Sequence, residues 1–249
     1  MAPFTLQKYT DALQQSLEYE SHSRYDASIQ VLENALPKTA DAGRQDWEAS
    51  ILGILGTLYL RTGRYPEAEV SLNKSVAMWT RLNGPNSKDL VGPLAGLGGL
   101  YYEAGQFSRA EKLIGRALEV QFRAETDSVT DSQITAMLHT NLAGVYFRQH
   151  KDDLATQEAE TALQKFALIN NAREDTARNY SSLGAIDLRS GSMPEALSYF
   201  EKALTLWQAV YGENNSHTAE GWGDLAFFYL TDGQPQKAEP SVPESGGNV

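Results

Sequence analysis

Four histidines are the residues in this chain best suited to moving protons or binding a metal, and their spacing argues against both. His22 and His150 fall in short polar turns, His217 in a link ahead of a helical stretch, and His139 on the packing side of another. They belong to different parts of the chain, so a shared metal site is not expected. There is no cysteine, which removes thiolate ligands, thiol nucleophiles and disulfides. Glu158 and Glu160 flank Ala159 and are expected to face solvent, while Asp152-Asp153 opens a helix, where carboxylates favour the positive end of the dipole. Gly96, Gly98 and Gly99 lie inside a helical stretch rather than after a strand, so they form no dinucleotide site, and no phosphate loop or nucleophile elbow occurs. The sequence therefore implies no catalytic residue, metal or cofactor. What remains is a set suited to gripping another molecule: Arg61, Arg148, Arg178 and Arg189, with Tyr102, Phe147 and Asn141. Arginine forks match carboxylate or phosphate, and aromatic side chains serve as apolar anchors.

The elements that must position these residues repeat. A turn residue followed two places later by a second marker recurs at Ser23/Tyr25, Gly63/Tyr65, Gly105/Phe107, His150/Asp152, Gly191/Met193 and Gly233/Pro235. The period is close to 42 residues. Four places before the turn residue stands a tyrosine, at Tyr19, Tyr59, Tyr101, Tyr146 and Tyr229, with Asp187 in the fifth copy. Four places before that comes Leu-Gly or Leu-Ala: Leu55-Gly56, Leu97-Gly98, Leu142-Ala143, Leu183-Gly184 and Leu225-Ala226. After the turn, small or apolar residues stand at offsets of five, nine and twelve, as in Ala110, Ile114 and Ala117. Spacings of three and four place these on one helical face. A glycine inside a helix costs about 0.5–1 kcal/mol, so its recurrence at one offset implies close helix crossings.

This pattern resembles the tetratricopeptide repeat family. Its long period is similar to the extended repeats of kinesin light chains, and the link Tyr211-Gly212-Glu213-Asn214-Asn215-Ser216-His217 strengthens the likeness. The resemblance implies an all-α fold, a right-handed superhelical solenoid of antiparallel helix hairpins. About six hairpins are expected in one array over residues 1–238, with 239–249 a disordered tail. Helices are predicted over 4–20, 26–36 (ended by Pro37 and Gly43), 47–60 and from 65 to about 81. A polar link over 125–132 precedes a fourth hairpin at 132–166. A break at Ile169-Asn170-Asn171 precedes a fifth at 174–211, and a closing helix starts at Ala219.

In such a solenoid the first helices line a concave groove, and the resembled family usually holds its partners there. The groove-facing offsets select Arg61, Tyr102, Asn141, Phe147, Arg148, Arg178 and Arg189, over a floor of Gly, Ala, Ser and Thr. The expected function is non-catalytic binding of a protein or peptide. An acidic or carboxylate-terminated segment is expected at Arg148, Arg178 and Arg189, anchored on Tyr102 and Phe147. The Lys/Asn clamp of chaperone-binding relatives is missing, since Ala95 and Gly99 occupy its places in the third hairpin. Two other classes stay open: a small-molecule site or enzyme around Tyr102, His139, Tyr146 and Arg178, and self-association through Trp79 and Trp207. A net charge of −11 argues against non-specific nucleic acid or anionic membrane binding. The polar N-terminus and lack of cysteine point to the cytosol, or the nucleus.

Overall fold

The computed structural model describes residues 4–124, 128–169 and 173–238. Among these there is no strand, and the helices come in antiparallel pairs. The pairs are α1 (Leu6–Ser21) with α2 (Tyr25–Asp41), α3 (Gln45–Arg61) with α4 (Tyr65–Asn83), and α5 (Val91–Glu103) with α6 (Phe107–Ala124). After them come α7 (Val129–Arg148) with α8 (Asp152–Phe166), α9 (Arg173–Ser190) with α10 (Met193–Tyr211), and α11 (Ser216–Thr231) with the single turn α12 (Pro235–Ala238). The chain divides into two compact units, residues 1–124 and 125–249. Each holds three hairpins of an all-α, tetratricopeptide-like solenoid. The expected disordered tail at 239–249 lies outside the described residues, as do Asn170 and Asn171 of the expected break.

One turn chemistry builds all six hairpins. In each, the residue after the turn position returns its N–H to the carbonyl at the recurring tyrosine site: Arg24 to Tyr19, Arg64 to Tyr59, Gln106 to Tyr101, Lys151 to Tyr146, Ser192 to Asp187 and Gln234 to Tyr229, at 2.8–3.0 Å. This is a Schellman closure, which requires a left-handed residue just past the helix end. Gly63, Gly105, Gly191 and Gly233 supply it at φ 71–87°. The two copies without glycine adopt the same backbone, Ser23 at φ 56° and His150 at φ 59°. In three copies a cation then lies on the tyrosine ring from that same next residue: Arg24 over Tyr19, Arg64 over Tyr59 and Lys151 over Tyr146, at 4.4–5.2 Å. A left-handed L-residue costs about 1–2 kcal/mol, partly offset by the extra chain entropy glycine loses on folding. His150 is exposed, so His150→Gly is expected to stabilise the protein by about 0.5–1 kcal/mol. Urea denaturation of the two proteins checks this, and a loss of stability would show that the imidazole contributes more than its backbone costs.

Pro37 does not end its helix. α2 runs on to Asp41 with Pro37 inside it, and Gly43, at φ 67°, closes it through Arg44 N–H to the Thr39 carbonyl at 3.0 Å. The Thr39 hydroxyl donates to the Leu36 carbonyl at 2.7 Å, in the turn that follows the proline. The other shifts are small: α7 starts at Val129 inside the expected polar link, and α11 starts at Ser216, capped by the Asn215 side chain.

Inside the hairpins a volume exchange fixes how closely the helices approach. A Cβ added to Gly98 would lie 2.5 Å from Cγ1 of Ile114, and one added to Gly184 would lie 2.7 Å from the Phe200 ring. Gly56 faces Leu72 in the same way. In hairpin four the residue is Ala143, and its opposite number shrinks to Ala159 in the same buried cluster. In hairpin one Ser16 takes the position and shares a hydrogen bond of 2.7 Å with Ser28.

Candidate functional site

Within each unit the first helices lie side by side. In unit 1, Leu60 of α3 would meet a Cβ on Gly99 of α5 at 3.3 Å. In unit 2, Asn179 of α9 donates to the Thr140 hydroxyl of α7 at 3.1 Å, and Ser181 of α9 lies beside Asp224 of α11. The first helices carry the residues selected from sequence.

Several of those residues are engaged between hairpins. Arg189 forms an ion pair with Asp152, donates to the Phe147 carbonyl at 2.8 Å and stacks its guanidinium 3.6 Å over the Phe147 ring. It therefore ties hairpin five to hairpin four. Arg61 occupies the equivalent place in hairpin two and reaches back in the same direction, 5.8 Å over the Tyr25 ring. Arg178 pairs with Glu174 one turn earlier at 2.9 Å, and Glu174 also accepts from the Tyr211 hydroxyl at 2.7 Å. That bond, aided by burial, pushes the Tyr211 phenol up to about 12. Arg178 and Arg189 are eleven residues apart on α9, about 16 Å along its axis, so they do not meet in one patch. Asn141 and Arg148 are exposed on α7, Phe147 is half-buried beside them, and Tyr102 packs edge-on against Phe107 at 5.8 Å.

The residues with catalytic potential are also occupied. The His139 ring Nδ1 and Glu158 meet at 2.5 Å, both about one-fifth exposed. Glu158 thus faces the α7–α8 seam rather than solvent, because the helix places its offset opposite the histidine. Asp152 opens α8 as expected but spends its carboxylate on Arg189. Trp207 is buried, stacked on His217 at 5.1 Å and Tyr211 at 6.0 Å, so it secures the link into α11 rather than an outer surface. Among the described residues no group of three histidines, aspartates or glutamates is arranged to hold a metal, and no helix is long and apolar enough to cross a membrane.

One buried polar group escaped the reading of the sequence. Asn179 is fully buried with its Oδ1 unpartnered, at a position where the other complete hairpins after the first carry Ile51, Pro93 and Leu138. Its signal was visible as the one polar residue in an apolar column. Asn179→Leu should raise stability by about 1 kcal/mol by removing an unsatisfied carbonyl, since Thr140 keeps its bond to the Ala136 carbonyl at 3.1 Å. A lower denaturation midpoint would mean the amide is satisfied in solution. Burial pushes the Asp224 carboxyl above its ordinary value, with the neighbouring Ser181 opposing the push and Glu220 adding to it.

Comparison with known proteins agrees with this geometry. The tetratricopeptide repeat family model matches residues 47–121 and 175–241, more than half of the chain. The Arabidopsis thaliana protein Kinesin light chain-related 1 is 22% identical over 221 residues, which is 86% of this chain and 35% of the relative. The chain thus spans about a third of that protein's length. Among solved structures, BtubC from P. vanneervenii shows the same fold at a TM-score of 0.66 and 19% identity, covering 96% of this chain and 89% of that one. A putative kinesin light chain from Podosopora anserina does so at 0.62 and 18%, covering 76% and 89%. Six hairpins closed by one repeated turn, a recurring small–large seam between their helices and a family match over both units lead to one conclusion: the chain belongs to the tetratricopeptide repeat family and is a protein–protein interaction module of that fold.

Proposed function

We propose that the chain holds an extended or helical segment of a partner protein along the open faces of its first helices. In unit 1 the segment passes Arg61 and Tyr102, and in unit 2 it passes Asn141, Phe147, Arg148, Arg178 and Arg189. The observation that carries this reading is the exposure of large apolar side chains on those faces: Leu17 at 68%, Phe227 at 63%, Leu230 at 59% and Met137 at 45%. Water-exposed apolar groups on the first helices favour a protein partner. An acidic segment at the arginines has to draw Arg178 from Glu174 and Arg189 from Asp152, so it gains less there than it would from forks not already engaged. The cysteine-free sequence suits a reducing compartment, the cytosol or nucleus.

Site-specific photo-crosslinking in native extract tests the proposal. A crosslinking residue at Asn141 or Phe227 should trap the captured partner, and one at Gly115, on the second helix α6, should not. Crosslinks formed only from α6 or α8 would move the interface to the second helices and end this reading.

A further inference from the structure

The charges on the open face of unit 2 are unequally satisfied. Arg178 and Arg189 each have a carboxylate already. Asp224 is the opposite case: its side chain is half-buried on α11, lies beside Ser181 of α9 and near Glu220, and no described lysine, arginine or histidine pairs with it. Glu220 meets the half-buried His217 ring, at 3.5 Å. One turn beyond Asp224 stands Phe227, and Leu230 follows, both largely exposed. A half-buried carboxylate with no cation beside it is undercompensated. The group that completes it best is a planar guanidinium, which can give two parallel hydrogen bonds and lay its flat face and stem on a neighbouring ring.

Resting on the groove-binding reading above, we propose that the α9–α11 face receives a basic side chain of the partner segment, preferentially arginine. Its guanidinium sits on the Asp224 carboxylate and its aliphatic stem, or an apolar neighbour in the segment, lies along Phe227 and Leu230. The partner is thus basic-apolar at this position. The chain's net charge of −11 adds long-range attraction for such a segment. Asp224 is a specificity residue in this account, separate from the arginines selected from sequence.

The test is selection of a displayed random octapeptide library on the full chain, followed by affinity measurement of a selected peptide. The expected result is enrichment of arginine or lysine next to an aromatic or aliphatic residue. Asp224→Asn, which keeps the shape of the side chain, should weaken the selected peptide by about tenfold or more. Phe227→Ala, at an exposed site that leaves the core intact, should weaken it as well. Exchanging the peptide's basic residue for citrulline or norleucine should reproduce the loss on the natural chain and have little effect on Asp224→Asn. Peptides enriched in aspartate or glutamate, with affinity lost in Arg148→Glu and kept in Asp224→Asn, would overturn this inference and leave groove binding standing. Peptides whose binding ignores Asp224, Phe227 and Arg148 alike would overturn both.

Discussion

Gly98→Leu is expected to lower the stability of unit 1 by about 3 kcal/mol, the upper part of the range for forcing bulk into a packed core. The same substitution at Gly115, one helix away, is expected to be neutral or to stabilise by about 0.5–1 kcal/mol. At residue 98 even a Cβ comes within 2.5 Å of Ile114, whereas at residue 115 it meets nothing within 4 Å. Both residues sit inside helices of one hairpin, so propensity favours leucine over glycine at each, and only the packing separates them. Denaturant melts with hydrogen exchange read over α5 and α6 would compare the two. Equal effects would mean that α5 and α6 do not cross at Gly98. A double-mutant cycle sharpens the point. Ile114→Ala alone should cost about 2–5 kcal/mol, and adding Gly98→Ala should recover part of that loss by recreating the Ala143/Ala159 pairing of hairpin four.

Trp47→Ala is expected to cost about 3–5 kcal/mol and to free α1 from the rest of unit 1. Trp47 is the point at which the first hairpin is held: Tyr9 stacks on it at 4.6 Å, nearly parallel, Phe4 meets it edge-on at 6.1 Å, and Arg44 lies 3.8 Å above its ring. Otherwise α1 buries little, Ser16 being its one fully buried residue. Pinning the amino end of α1 to α3 also opens the α1–α2 hairpin away from its turn, leaving a cleft of about 700 Å³ lined by Lys8, Ala12, Val31 and Lys38 among others. The expected signature is rapid hydrogen exchange throughout α1, with protection in α4 to α6 largely kept. Unchanged protection of α1 would show that Ser16–Ser28 and the turn at Ser23 suffice to hold it.

The fold was legible because its determinants are local and recur. The tyrosine, the small residue and the turn position stand at fixed offsets, and that spacing placed Ser23 and His150 at the turn although neither is glycine. Pro37 misled because a proline late in a helix need not stop it: the helix continues until Gly43 provides the backbone that closure requires. The fates of the arginines were not legible. Whether Arg189 reaches a ligand or Asp152 depends on a residue 37 places away on the neighbouring hairpin, and no spacing within hairpin five encodes it. Asp224 stands at a first-helix offset in the sequence, but that no described cation pairs with it emerges only from the helices packed around it. The correction at Glu158 has the same origin, since its facing direction is fixed by His139 on the partner helix.

The small–large seam also constrains how such a chain can change. Gly56 with Leu72, Gly98 with Ile114, Ala143 with Ala159 and Gly184 with Phe200 behave as lock-and-key sets cut to different depths. A first helix from hairpin four placed against a second helix from hairpin five would set Ala143 against Phe200, and the reverse chimera would leave a void between Gly184 and Ala159. Recombination that cuts at the turns would therefore break the seam, while cuts in the links between hairpins would preserve it. The heritable module of this protein is the complete hairpin, and a graft that respects that boundary should carry its helix spacing into a new array intact.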